Sequence, residues 1–226
     1  MKKAILALTL LLSLFLFADA EKRCTVKMFG GRINAEKAFS ADGFVFFGID
    51  YSRVRLIGDH GHGYGTDMDT AYIRDKYFNA FNSVVINETD KYNLSKAVGG
   101  KKIGYKFDEV LEINRSADPK KLRAITKSEP LGTVVVQEML KKYDTFRGKA
   151  QGVGIVIIAD QMNKFDKEAY YYVTFFDVFS LKFLFAAYVK GEPGGFGYRN
   201  YWIRPIANIF KDMAKGDWKY WKSIAK

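Results

Sequence analysis

Three apolar segments in the last third of the chain carry the strongest pattern. Val153 to Ala159 follows Gly152 without a polar interruption, and Ala169 to Phe176 is apolar or aromatic almost throughout. Phe183 to Val189 comes after a short polar stretch around Asp177 to Lys182. Short continuous apolar runs bounded by turn residues predict buried strands, the last two joined as a hairpin. Phe44-Val45-Phe46-Phe47, between Gly43 and Gly48, predicts another buried strand that continues or bulges into Val54 to Ile57. Ile103–Phe107 and Val110–Ile113 are expected as further strands.

Elsewhere the period changes. Ile73, Tyr77, Phe81, Val84 and Val85 recur at spacings that place them on one helical face, with Asp67, Asp69 and Thr70 as candidate caps. Val136, Met139, Leu140 and Tyr143 form a second stripe, begun from Ser128 or Thr133. Ile206, Ile209, Phe210 and Met213 predict a closing helix, with Pro205 in its first turn, where a missing N–H costs least.

Strand, helix, strand, helix, strand, hairpin, helix is an α/β order. Runs apolar on both alternating faces require cover on both sides. The expected architecture is a single α/β domain: a mixed sheet with helices on both faces and a C-terminal β-hairpin followed by a helix. Residues 43–215 are assigned to this domain, 21–42 to a mobile N-terminal segment, and 216–226 to a basic aromatic tail.

The N-terminus has a different pattern. Lys2 and Lys3 precede an apolar run from Ala4 to Phe17, interrupted only by Thr9 and Ser13, and Ala18-Asp19-Ala20 supplies small residues where a signal peptidase reads. This is a secretory signal peptide in form, too short for a membrane helix with these flanks. Cleavage is expected after Ala20, leaving roughly 206 residues for one sizeable domain in the periplasm or medium. Cys24 is the only cysteine, so no intrachain disulfide forms. Glu21, Lys22 and Arg23 precede it, where a lipidation signal needs small and apolar residues, so the chain is expected to be non-lipidated.

The formal net charge of +11 favours anionic neighbours. For an exported chain these are an envelope protein, an anionic glycan or a cell-wall polymer, not nucleic acid. The membrane is at most a peripheral contact, through Trp218-Lys219-Tyr220-Trp221-Lys222, for which the other reading is ordinary C-terminal packing.

Candidate chemistry is sparse. His60 and His62 are the only histidines, and they lie in Gly58-Asp59-His60-Gly61-His62-Gly63-Tyr64-Gly65. With Asp59 they offer nitrogen and carboxylate ligands for zinc or another divalent ion, though the spacing matches no established site. The other reading is a solvated glycine loop. No Gly-x-Ser-x-Gly elbow is present, and Asp160 and Asp177 at strand ends are the remaining candidate carboxylate pair. Phe196, Tyr198, Arg199 and Trp202, beside the glycines of residues 191–197, offer rigid aromatic area and a guanidinium fork for a sugar, a carboxylate or a phosphate; the other reading is that several of these aromatics, Trp202 among them, anchor the last helix in the core.

The block from Gly152 to Ala159, then Tyr170 to Asp177, then Gly191 to Trp202 resembles a family of uncharacterised secreted proteins of Gram-negative envelopes. Gly194-Gly195-Phe196-Gly197-Tyr198-Arg199-Asn200-Tyr201-Trp202 is its most telling part. More distantly, the element order is similar to the small α/β domain of curli-secretion lipoproteins and of lipoprotein activators of peptidoglycan synthases. Phe175 to Leu184 keeps the hairpin aspartate, Asp177, and the lysine, Lys182, of those relatives but lacks their threonine and glycine. The resemblance implies a fold and no activity. The expectation is an exported, non-enzymatic envelope protein acting as a binding or assembly module without a cofactor. The alternative is a metal-dependent or carboxylate hydrolase acting on envelope material.

Overall fold

The structure, a computed structural model, describes residues 24–27, 31–61, 69–144 and 150–225. The signal-peptide assignment, His62 and Asp67 lie outside the described residues.

Eight strands form one mixed sheet: β1 (Cys24–Lys27), β2 (Gly43–Asp50), β3 (Arg55–Ile57), β4 (Lys102–Tyr105), β5 (Arg123–Ala124), β6 (Val153–Asn163), β7 (Glu168–Asp177) and β8 (Phe183–Gly191). The main order is β1-β8-β7-β6-β2-β4. β6, β7 and β8 are an antiparallel meander, as their three apolar runs predict. On its other edge β6 pairs in parallel with β2 along Val153–Ile158 and with β3 along Gln161–Asn163. Thus the expected continuation of the Phe44–Phe47 strand takes the form of two short strands sharing one neighbour. β4 extends the sheet beyond β2, and β5 extends it beyond β3. All eleven residues of β6 are buried, which its lack of alternation foretold.

The helices are α1 (Gly31–Ser40), α2 (Thr70–Ile73), α3 (Asn79–Asn87), α4 (Leu94–Ala97), α5 (Asp108–Arg115), α6 (Thr133–Leu140), α7 (Tyr198–Asp212) and α8 (Trp218–Ile224). A π turn at Arg74–Phe78 joins α2 to α3, and another at Met213–Asp217 joins α7 to α8. Neighbouring residues of β7 show the two covered faces. Phe175 packs against Phe39 of α1 and Trp218 of α8, whereas Phe176 packs against Phe47 and Tyr143, just beyond α6. Gln137 fixes α6 to the hairpin, accepting from the Phe183 N–H at 2.9 Å and donating to the Leu181 carbonyl at 3.0 Å.

Four expectations need correction. Residues 21–42 are not a loose leader throughout: β1 pairs with β8, and α1 buries Ala35, Ala38 and Phe39. Those three positions are spaced as one helical face, a stripe too short to stand out. Val110–Ile113 lies in α5, not in a strand, because Asp108 and Glu109 occupy a first helical turn and Val110, Ile113 and Asn114 are buried on one face. Trp218 and Trp221 are both in the core, so the described part of the 216–226 tail belongs to the domain and not outside it, as the packing reading of that segment expects. Finally, the closing helix starts at Tyr198, so Pro205 sits in its interior.

The sheet's least regular point is on β2. Its pairing with β4 ends at Phe46, and its register with β6 shifts between Phe46 and Ile49. The backbone turns there through Gly48 at φ 93°, where a Cβ would lie 2.6 Å from Asn82 Oδ1. Among the described residues the edge beyond has no strand partner, and two buried asparagines replace one. Asn82 of α3 accepts from the Ile49 N–H at 2.7 Å and donates back to the Ile49 carbonyl at 2.9 Å. Asn114 of α5 accepts from the Tyr51 N–H at 2.7 Å and donates to the same Ile49 carbonyl at 3.0 Å. Buried backbone groups must find partners, and here helix side chains supply them.

Candidate binding surface

At the carboxyl ends of β3 and β6 three connections converge: residues 58–61, the β6–β7 turn at 164–167, and the glycine loop that leads into α7. His60 ties the ends of β3 and β6 to the first turn of α7. Its Nε2 faces two carbonyl oxygens, Met162 at 2.9 Å and Ile57 at 3.2 Å, so this nitrogen carries the proton and donates. Nδ1 is then the acceptor, and the Tyr198 hydroxyl donates to it at 2.9 Å. The imidazole stacks on Trp202 with centroids 5.0 Å apart and planes at 21°. Tyr198 packs in turn against Tyr77, centroids 4.5 Å apart. Burial pushes the His60 pKa down to about 4, and Lys164 nearby acts in the same direction. The ring is neutral at pH 7.

The glycine loop is held by a vacancy in the α7 hydrogen-bond ladder. Pro205 has no N–H to give to the carbonyl four residues earlier, that of Tyr201. The Gly194 N–H donates to that carbonyl instead, at 3.0 Å. Pro205 also packs so closely on Gly191 that a Cβ there would lie 2.6 Å from the proline Cβ. An interior proline and the glycines upstream are therefore two halves of one connection, in which the loop folds back onto the helix.

What faces outward is aromatic and basic. Phe196 is 85% exposed and Phe165, in the β6–β7 turn, is 70% exposed. Arg199 is exposed, and Lys164 Nζ lies 4.6 Å from the centroid of the half-buried Tyr201 ring. Such a surface can stack against a planar or sugar face and pair with an anion.

Of the four residues expected to bind, only Phe196 and Arg199 lie at this surface. Trp202 is fully buried, and Tyr198 is half-buried with its hydroxyl committed to His60. Their spacing on α7 turns them toward the sheet, and they form the platform under the surface instead of the surface itself. Phe165 and Lys164 were missed. The available signal was one phenylalanine in the polar turn Asn163-Lys164-Phe165-Asp166-Lys167, where burial gives it no reason to be.

Of the expected metal ligands, His62 lies outside the described residues, and His60 and Asp59 are engaged with other partners. Both nitrogens of His60 are occupied, and Asp59 Oδ1 accepts from the Gly61 N–H at 2.8 Å, closing a local turn. Asp69, a neighbouring carboxylate, caps α2 by accepting from the Tyr72 N–H at 2.7 Å. Among the described residues no group of three histidine, cysteine, aspartate or glutamate side chains is placed to hold an ion. The geometry equally separates the two candidate carboxylates. Asp177 pairs with Val153 at the start of β6, whereas Asp160 lies in the register shift after Ala159, near the strand's other end. Asp177 is held by Lys37 at 2.5 Å and by Ser180, contacts that outweigh its desolvation and keep its pKa below the ordinary value. Asp160 is fully buried and bound by Arg55 and Tyr188. Neither is poised to act on a substrate with the other.

No helix among the described residues is long and apolar enough to cross a membrane. Compared with known proteins, the chain matches no family model, no curated protein and no solved structure.

Proposed function

We propose that this chain is an exported, non-enzymatic binding module of the cell envelope. It takes an envelope protein or an anionic glycan on the surface formed by Phe196, Arg199, Tyr201, Lys164 and Phe165. The observation that carries this reading is the platform of His60, Tyr198 and Trp202. It uses the one described histidine to join the ends of β3 and β6 to the start of α7, and it leaves aromatic and cationic side chains facing outward on that base. Rigid aromatic anchors beside a guanidinium favour contact, since little side-chain entropy is lost on binding. The formal charge of +11 and the form of the N-terminal twenty residues support an anionic envelope component as partner.

The test is co-sedimentation of the purified mature protein with isolated envelope fractions, for wild type and for Phe196→Ala/Arg199→Ala. The double variant is expected to keep its melting temperature and to lose most of the bound fraction. Equal binding by both proteins would assign this surface no role. Mass spectrometry of the exported chain should show an N-terminus at Glu21 without a lipid on Cys24.

A further inference from the structure

A groove on other residues is independent of that surface. The chain at residues 90–96, the C-terminal part of α7 and the π turn after it enclose this groove of 440 Å3, within the size range of small-molecule sites. The apolar part of its lining, here called the floor, is Ala207, Phe210 and Ala214. Its walls carry Lys91, Lys96, Lys211 and Lys215 against a single carboxylate, Asp90. Lys91 has a partner in Glu88 at 3.6 Å. Lys96, Lys211 and Lys215 form no ion pair among the described residues. Lys211 at the end of α7 and Lys215 in the π turn after it both line the groove, and Lys96 adds a third ammonium from the 90–96 segment. Converging like charges over a low-dielectric floor focus a positive potential into the groove.

We propose that this groove binds a soluble phosphate ester, with its phosphate among Lys96, Lys211 and Lys215 and its organic part on the Ala207–Phe210–Ala214 floor. Three point charges without an arginine fork suit a compact group of high charge density, which a phosphate is and a single carboxylate is not. The apolar floor adds a preference for an ester over the free anion, because it gains only when a non-polar group covers it.

Calorimetric titration of the whole mature chain with phenyl phosphate, inorganic phosphate and phosphatidylglycerol vesicles tests this. Phenyl phosphate should bind saturably and more tightly than inorganic phosphate. Lys211→Gln/Lys215→Gln should weaken it about tenfold or more, as loss of charge-assisted contacts does, without lowering the melting temperature. Lys219→Gln/Lys222→Gln, exposed lysines of α8 outside the groove, should leave the affinity unchanged. Absence of phenyl phosphate binding, equal loss in both double variants, or binding confined to the vesicles would each overturn the proposal. None of these outcomes depends on the Phe196–Arg199 surface.

Discussion

The imidazole Nδ1 of His60 accepts a hydrogen bond from the hydroxyl of Tyr198 at 2.9 Å, across 138 positions of sequence. The pair joins the end of β3 to the first turn of α7. It also fixes the histidine tautomer, since the opposite nitrogen donates to the carbonyls of Met162 and Ile57.

Stability should consequently depend on pH through His60. Its folded pKa is lowered from the ordinary 6.5 to about 4. Between those values the unfolded chain binds more protons, so stability rises with pH there and is lost as pH falls from 6.5 toward 4. The shift corresponds to on the order of 3 kcal/mol. Urea denaturation at pH 7 and pH 4 should show His60→Phe less stable than wild type at pH 7, because three polar groups lose their partner. The variant should also lose less stability on acidification. An identical pH dependence in both proteins would show that the ring is solvated.

Trp202 and Arg199 lie three positions apart and should behave oppositely. Trp202 is at 0% exposure against His60 and Tyr201. Trp202→Ala should cost about 3–5 kcal/mol, as large aromatic truncations in cores do. Arg199→Ala should stay within about 0.5 kcal/mol of wild type, since its side chain is on the surface. Chemical denaturation of the two single variants is sufficient to check both.

Gly191 should not tolerate even a methyl group. A Cβ there would lie 2.6 Å from Pro205 Cβ and 2.9 Å from its Cα, so relief requires moving α7 backbone and not a flexible side-chain tip. Gly191→Ala is expected to cost about 1–3 kcal/mol, the usual penalty for overpacking. Gly100→Ala is a useful comparison, since the methyl would meet nothing within 4 Å although φ is 82°. A larger drop in melting temperature for Gly191→Ala identifies the steric contact, and a larger drop for Gly100→Ala would put backbone conformation first.

The β6–β7–β8 meander was legible because apolar runs this dense can only be covered on both sides. The helix through Ile73 and Val85 was legible from period alone. The wider closing helix was misread at Pro205, because a proline inside a helix is tolerable once another N–H takes the orphaned carbonyl. That donor, Gly194, is not readable from local sequence. The asparagines that finish the β2 edge are hidden for a similar reason. Asn82 and Asn114 look like ordinary polar helix residues until β2 bulges at Gly48 and leaves its backbone without a strand partner. In the site, the glycine-histidine loop and the Gly194–Trp202 segment were both singled out as separate surfaces. Period and composition cannot show that they meet, and once they do, His60 becomes a structural group and Tyr198 and Trp202 its support.

The ion pair of Arg55 and Asp160 gives the last prediction. Asp160 is at 0% exposure, accepts from the Tyr188 hydroxyl at 2.7 Å and lies within 3.3 Å of Gln161 Nε2. Arg55 reaches it from β3 and also donates to Ser128 and to the Glu129 carbonyl, the latter at 2.7 Å. The pair therefore pins the segment before α6 onto the sheet face where Tyr172 donates to the Leu131 carbonyl at 2.5 Å. A buried ion pair contributes less by its own attraction than is lost when one partner is removed, because the remaining charge stays desolvated. Arg55→Met should thus cost about 3–5 kcal/mol. Arg55→Met/Asp160→Leu should cost less than the single variant, because no charge is left buried, although Tyr188 and Gln161 then lose an acceptor. Urea denaturation of both variants reads the two costs directly. A double variant less stable than Arg55→Met would mean that the hydrogen bonds of Asp160 to Tyr188 and Gln161, and not its pairing with Arg55, hold this face together.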